Sequence, residues 1–155
     1  MTQQSTILLS KKGMKELKKD IAKLERKQAA IIAELRELDK TTNHEERLHR
    51  VEKLAQQEII ESELADKQLI MKRAKLFPRK RDALRVALGS VVELIDINGR
   101  VVRYRIVDSI EANPSDGRIS AKSPLGQNLI GKTIKETIEW GNGLRAQRLQ
   151  LVNIS

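Results

Sequence analysis

The stretch from Glu34 to Leu48, ELRELDKTTNHEERL, concentrates the side chains most able to do chemistry. Glu34, Glu37, Asp39, Glu45 and Glu46 set five carboxylates close together, and Asp39, Thr41, Thr42 and Asn43 interrupt the stretch with turn and cap chemistry. Two readings apply to these acids. Asn43 is a good N-cap, which would put Glu45 and Glu46 in the first turn of a helix, where negative charge suits the helix dipole. Alternatively, the cluster is the working end of a helical tip. Other chemistries find little support. His44 and His49 stand five apart and lack the i,i+4 spacing of a helical metal pair. There is no cysteine, so neither a thiolate metal site nor a disulfide framework can form. One Phe, one Trp and one Tyr are too few for an aromatic ligand pocket or a base-stacking platform.

Two helical patterns must position this tip. From Leu17 the positions Leu17, Ile21, Leu24, Gln28, Ile31, Leu35 and Leu38 alternate in steps of four and three, the a/d seam of a coiled coil. Gln28 is its single polar member, and Ser10 is placed to cap the helix. A helix from about Lys11 to Asp39 would reach roughly 40 Å. The second pattern runs from about Glu45 to Leu76, with a looser apolar set of Leu48, Val51, Leu54, Ala55, Ile59, Leu64, Ala65, Leu69 and Leu76. One short turn between two such helices makes them antiparallel.

Charge divides this hairpin. Residues 11–27 hold eight Lys/Arg against three Asp/Glu, residues 67–85 hold eight against one, and residues 34–63 hold five against nine. Folding back would therefore give a basic base and an acidic far end. The whole chain of 155 residues carries a formal charge of +9 with a pI near 9.9, which favours an acidic partner such as nucleic acid or an acidic protein groove. Its length allows one domain or two small ones. No apolar run is long enough to span a membrane and no signal-peptide pattern opens the chain. A soluble cytoplasmic monomer with no membrane contact is the expectation.

Phe77-Pro78 ends the second helical pattern, and Arg79-Lys80-Arg81 begins a basic linker. Beyond Leu88-Gly89 the apolar period changes to two. Ser90–Ile97 and Arg100–Val107 read as strands around an Asn98-Gly99 turn. Arg118–Ala121 reads as a short strand and Ser123–Ile130 as a short helix closed by Gly131. Thr133–Trp140 and Leu144–Ile154 form the last strand pair. The fold class is α+β: an N-terminal antiparallel helical hairpin (coiled coil) over 1–76, a basic linker over 77–88, and a small domain on a mostly antiparallel sheet over 89–155.

Ser10-Lys11-Lys12-Gly13-Met14-Lys15-Glu16-Leu17 resembles the start of the coiled coil in the Gre-family transcript cleavage factors. Gly89-Ser90-Val91-Val92 resembles the first strand of that family's C-terminal domain. Ile119-Ser120-Ala121-Lys122-Ser123-Pro124-Leu125-Gly126, followed by Leu129-Ile130-Gly131-Lys132, resembles its C-terminal signature. The likeness runs in one order along essentially the whole chain. It implies a C-terminal domain of FK506-binding-protein-like fold that docks on bacterial RNA polymerase at the secondary channel, here through Ser123, Pro124, Leu125 and Gly131. The coiled coil would enter the channel and meet the nascent RNA 3′ end. Tip carboxylates would share a second Mg2+ with the polymerase to cleave backtracked RNA. The factor alone would be no enzyme and hold no cofactor. Oxygen ligands suit Mg2+, and a two-metal site stabilises both the attacking and the leaving oxygen.

Laid on the family tip, Asp-Leu-x-Glu-Asn-x-Glu-Tyr, this chain matches at Asp39, Asn43 and Glu45. Asp39 and Glu45 become the metal-holding residues, with Glu46 as substitute. Lys40 replaces the Leu, Thr42 stands where the second carboxylate belongs, and Glu46 stands at the Tyr. That departure keeps a second function open: a non-cleaving channel binder that inhibits or modulates the polymerase. Peptidyl-prolyl isomerisation, suggested by the fold analogy, needs an aromatic-lined pocket that Phe77, Tyr104 and Trp140 do not supply. Lys11, Lys12, Lys15, Lys18, Lys19, Lys72, Arg73, Lys75, Arg79, Lys80 and Arg81 are either a solvated face or a contact surface for extruded RNA and the channel wall. No DNA-reading motif is present.

Overall fold

The computed structural model describes residues 5–40, 43–78, 83–141 and 143–155. Two compact units divide the chain. One contains Lys12–Ala74, and the other joins Ile7–Lys11 to the chain from Lys75 to Ser155.

The first unit is built on α1 (Lys11–Leu38) and α2 (His44–Arg73). Three cross-helix ion pairs fix their direction: Asp20 with Lys67, Glu34 with Lys53 and Asp39 with Arg50. Partners rise on one helix as they fall on the other, so the helices are antiparallel. From α1 the seam buries Leu17, Leu24, Ile31 and Leu35, as the 4-3 spacing predicts.

The α2 side differs from expectation. Only Leu64 is buried there, while Leu48, Val51, Leu54, Ile59 and Leu69 are exposed. The residues turned toward α1 are Lys53, Gln57, Ile60, Leu64, Lys67 and Met71, half-buried apart from Leu64 and again in steps of four and three. Lysine stems can lie along apolar surface while their ammonium groups reach a carboxylate. Lys53, with a side chain only 18% exposed, does so with Glu34 at 2.7 Å.

Helix α2 also stops at Arg73, short of the expected Leu76. Ala74–Leu76 is instead a strand, β2, paired with β1 (Ile7–Leu9) in a two-stranded sheet. The Phe77 N–H continues the pairing by donating to the Leu9 carbonyl. Pro78 disfavours helix at the residue before it, and the strand partner satisfies the backbone groups the helix gives up.

The second unit contains a five-stranded sheet in the order β5-β4-β3-β7-β6. β3 (Val91–Ile95) and β4 (Val101–Val107) form the hairpin around Asn98-Gly99, where Gly99 takes φ 78° as the turn requires. β7 (Gln147–Ile154) runs antiparallel to both β3 and β6 (Thr137–Trp140). The sheet is mixed, not wholly antiparallel, because β5 (Arg118–Ser120) lies parallel to β4. Two 3-10 turns, Ser109–Glu111 and Pro114–Asp116, carry the chain back so that β5 can run in the same direction. The last strand pair starts later than expected, at Thr137, since Thr133–Glu136 forms a turn closed by the Glu136 N–H on the Thr133 carbonyl.

The core holds Val92, Leu94, Ile106, Leu129 and Leu151, all without exposed surface, with Leu125, Ile138, Leu149 and Ile154 around them. Val86 joins it: its N–H donates to the Lys132 carbonyl and its carbonyl accepts from Gly131. Helix α3 (Pro124–Leu129) is capped by Ser123 and turns Leu125 and Leu129 inward. It passes so close to β5 that a Cβ on Gly126 would stand 2.1 Å from the Ser120 carbonyl oxygen.

Ser10 does more than start a helix. Its N–H and its hydroxyl both donate to the Glu111 carboxylate, at 2.7 and 2.6 Å. Glu111 also faces Arg118 at 3.4 Å, and Arg118 reaches Asp116 at 2.9 Å. Glu111 and Arg118 have side chains only 2% and 7% exposed, so a buried ionic cluster ties the N-terminal strand into this unit.

Candidate functional site

The tip of the hairpin is defined by backbone chemistry on both sides. α1 closes with the Asp39 N–H on the Leu35 carbonyl and the Lys40 N–H on the Glu37 carbonyl. Asn43 takes an extended conformation, φ −68° and ψ 140°, and its side-chain oxygen accepts the Glu45 N–H at 3.1 Å. That is the expected N-cap, and it sets Glu45 and Glu46 in the first turn of α2 beside the positive end of the helix dipole. Asp39, Asn43, Glu45 and Glu46 therefore share one end of the hairpin.

The acids there are not equivalent. Glu34 is paired with Lys53, Glu37 with Lys40 at 2.9 Å, and Asp39 with Arg50 at 2.7 Å. Glu45 and Glu46 have no ion-pair partner among the described residues, and Glu45 is exposed. No three acidic or imidazole side chains among the described residues converge as a ready-made metal site. The tip offers separate oxygen donors. Its donor chemistry fits Mg2+ at Glu45 and Glu46, and at Asp39 only in competition with Arg50. Thr42 lies outside the described residues.

Arg50 and Lys53 are the tip residues that sequence reasoning missed. Their signal is positional: once the turn is set between Leu38 and His44, residues about equally far from it on either side face each other. Both then supply an α1 carboxylate with its counter-charge.

The basic residues fall into two sets. The register that pairs Asp20 with Lys67 sets Lys15 level with Lys72, and Lys15, Lys18, Lys19 and Lys72 are exposed at that end of the first unit with Lys12. Arg73 is committed elsewhere: it donates to the Ser5 carbonyl at 2.9 Å and to the Ser5 hydroxyl at 2.7 Å. Lys11 and Lys75, both exposed, belong to the second unit. Arg79, Lys80 and Arg81 lie outside the described residues.

The Ser-Pro motif has structural work in the second unit. Ser123 donates its hydroxyl to the Ser120 carbonyl and accepts the Gly126 N–H, while Pro124 occupies the first helical turn. Leu125 is 7% exposed and faces the core, so the surface of this motif consists of Pro124, Gln127, Asn128, Ile130 and Gly131 instead. Gly131 adopts φ 85°, where a side chain would be strained.

Residues 81–155 match the family model described as transcription elongation factor, GreA/GreB, C-terminal. The chain is 33% identical to the transcription elongation factor GreA of Mycoplasma pneumoniae, over 83% of this chain and 82% of that protein. It is 34% identical to the GreA of Mycoplasma genitalium, over 81% of each. Among solved structures, GreA factor homolog 1 (Gfh1) of Thermus thermophilus aligns over 97% of this chain and 99% of its own, at 22% identity and a TM-score of 0.43.

Proposed function

This chain belongs to the GreA/GreB family of transcription elongation factors, and we propose that it binds bacterial RNA polymerase at the secondary channel and stimulates cleavage of backtracked RNA there. The observation that carries this reading is the hairpin tip, where Glu45 and Glu46, without ion-pair partners among the described residues, stand in the first turn of α2 at the same end of the hairpin as Asp39. A pair of helices is a slender element, suited to bringing a few carboxylates to a partner's active site. The factor contributes only part of a metal site, so it acts as a stimulator of the polymerase's own chemistry.

Asp39 and Glu45 would hold the Mg2+ shared with the polymerase, with Glu46 able to replace either. The chemistry an ion held there would supply is activation of a water and stabilisation of charge at the phosphate. The chain's own contribution is to position these oxygens. Asn43 fixes the start of α2, and the helix dipole favours the ionised carboxylates near it. Arg50, on Asp39 Oδ1 at 2.7 Å, competes with the ion for that carboxylate. The nascent RNA 3′ end is the substrate in this reading, and the chain works as a monomer.

The pairing of Asp39 with Arg50, and a threonine at position 42, support a second reading. In it the protein occupies the channel without promoting cleavage and so modulates the polymerase. Release of short 3′ RNA fragments from stalled complexes separates the two. Cleavage stimulation predicts Mg2+-dependent release that disappears in Asp39→Ala/Glu45→Ala/Glu46→Ala. Polymerase binding with no fragments above background favours the modulator, and unchanged release by the triple variant removes the tip from the mechanism.

A further inference from the structure

The outer side of α2 carries a feature that the hairpin itself does not use. Leu48, Val51 and Ile59 are 58%, 64% and 60% exposed, and Ala55 is exposed between them. Their positions, i, i+3, i+7 and i+11, lie along one side of the helix, away from the Lys53, Gln57, Ile60 and Leu64 side that meets α1. At 1.5 Å per residue the ridge runs roughly 16 Å. At Ile59 it continues into a groove of about 450 Å³ lined by Leu24, Ala30, Ile31 and Ile60, with Lys27, Gln56 and Glu63 as its polar members. Exposed apolar side chains aligned on one side and rimmed by polar residues are the pattern of an interaction surface.

Charge identifies what covers it. Glu52 stands one turn on from Leu48, Glu63 one turn on from Ile59, and Glu58 two turns on from Val51. Three cations lie in this half of the helix, but Arg50 and Lys53 are spent on Asp39 and Glu34, leaving Arg47. The ridge is thus apolar with acidic flanks. A second copy presenting the same face would oppose like charges, which disfavours self-association.

We propose that α2 from Leu48 to Ile59 is a docking ridge that seats in an apolar groove rimmed by lysine and arginine on RNA polymerase. This is helix-in-groove recognition, with the factor supplying the helix. It rests on the polymerase reading above and adds to it the surface that holds the hairpin in place. The tip then depends on two features of one helix: its first turn carries the working acids, and the next three turns grip the partner.

Because the chain has no cysteine, Ala55→Cys accepts a single environment-sensitive dye. Adding bacterial RNA polymerase core enzyme shifts the dye emission to the blue as position 55 is covered. Leu48→Ser/Val51→Ser/Ile59→Ser, at exposed positions, keeps its helicity by circular dichroism and binds polymerase about tenfold more weakly or worse. Leu69→Ser, on the same helix but beyond the ridge, keeps its affinity. An unshifted dye on a factor that does bind, or a triple variant that binds as tightly as the unmodified chain, overturns the ridge and leaves the polymerase reading standing. Failure of the unmodified chain to bind overturns both. A dimer in sedimentation that the triple variant dissolves, with polymerase binding unchanged, gives the ridge to a second copy and overturns the proposal.

Discussion

Arg50 Nε donates to Asp39 Oδ1 over 2.7 Å, joining α2 to the end of α1 across the turn. The side chains are 46% and 53% exposed, so the pair is worth only about 0.2–1 kcal/mol. It is too weak to hold the fold but strong enough to compete with another cation for the Asp39 carboxylate. Arg50→Gln should leave thermal stability within about 1 kcal/mol and lower the Mg2+ concentration for half-maximal RNA fragment release by up to about fivefold. If release falls instead, Arg50 contributes directly to the reaction rather than restraining Asp39.

The buried cluster of Ser10, Glu111, Arg118 and Asp116 behaves differently, because solvent cannot replace a lost partner. Arg118→Leu leaves the buried Glu111 carboxylate without a counter-charge, held only by its hydrogen bonds from Ser10, and should cost about 3–5 kcal/mol in urea unfolding of the second unit. Glu111→Leu/Arg118→Leu removes both charges and should recover part of that loss. A single-variant cost below about 1 kcal/mol would show that water reaches the cluster.

These contrasts explain what the sequence could and could not reveal. The α1 seam was legible because Leu17, Leu24, Ile31 and Leu35 are apolar at coiled-coil spacing. The α2 seam was not, because Lys53, Gln57 and Lys67 are polar residues that pack through their stems. Meanwhile Leu48, Val51 and Ile59 imitated a seam on the opposite side. Asn43 was legible as a cap because capping is local, whereas the Asp39–Arg50 pair depends on how two helices align. Strand β5 is three residues long, and nothing in Arg118–Ser120 states its direction. Arg118 was legible as the first residue of a short strand, but not as a buried cation, because its counter-charges Glu111 and Asp116 come from the preceding turns.

Glu136 makes stability sensitive to acid. The Thr133 N–H donates to its carboxylate at 2.6 Å, and this backbone hydrogen bond leads in holding its pKa below the ordinary 4.5, with the Thr133 hydroxyl, Lys132 and Arg85 adding to the effect against desolvation. A depressed carboxylate pKa contributes stability above the unfolded-state value and loses it as pH falls through the folded-state value. Glu136→Gln should therefore unfold more easily than the unmodified chain near pH 7, and the difference should shrink as pH drops below about 4.5. A gap in urea midpoint that stays constant from pH 7 to pH 3 would assign the effect to geometry rather than ionisation.

The lysines at the base of the hairpin answer to salt. Lys15, Lys18 and Lys19 are exposed on α1 and form no ion pair among the described residues. If they meet phosphates of extruded RNA or acids on the channel wall, raising ionic strength weakens that attraction within the Debye length, about 8 Å at physiological salt. For phosphate contacts each lost charge also removes released counterions from the binding equilibrium. Lys15→Ala/Lys18→Ala/Lys19→Ala should bind polymerase complexes more weakly at low salt and show a shallower slope of log affinity against log salt. The two curves should converge as salt rises, because screening removes from the unmodified chain what substitution removes from the variant. Parallel curves would mean that these three lysines are a solvated face and that other contacts carry the salt dependence.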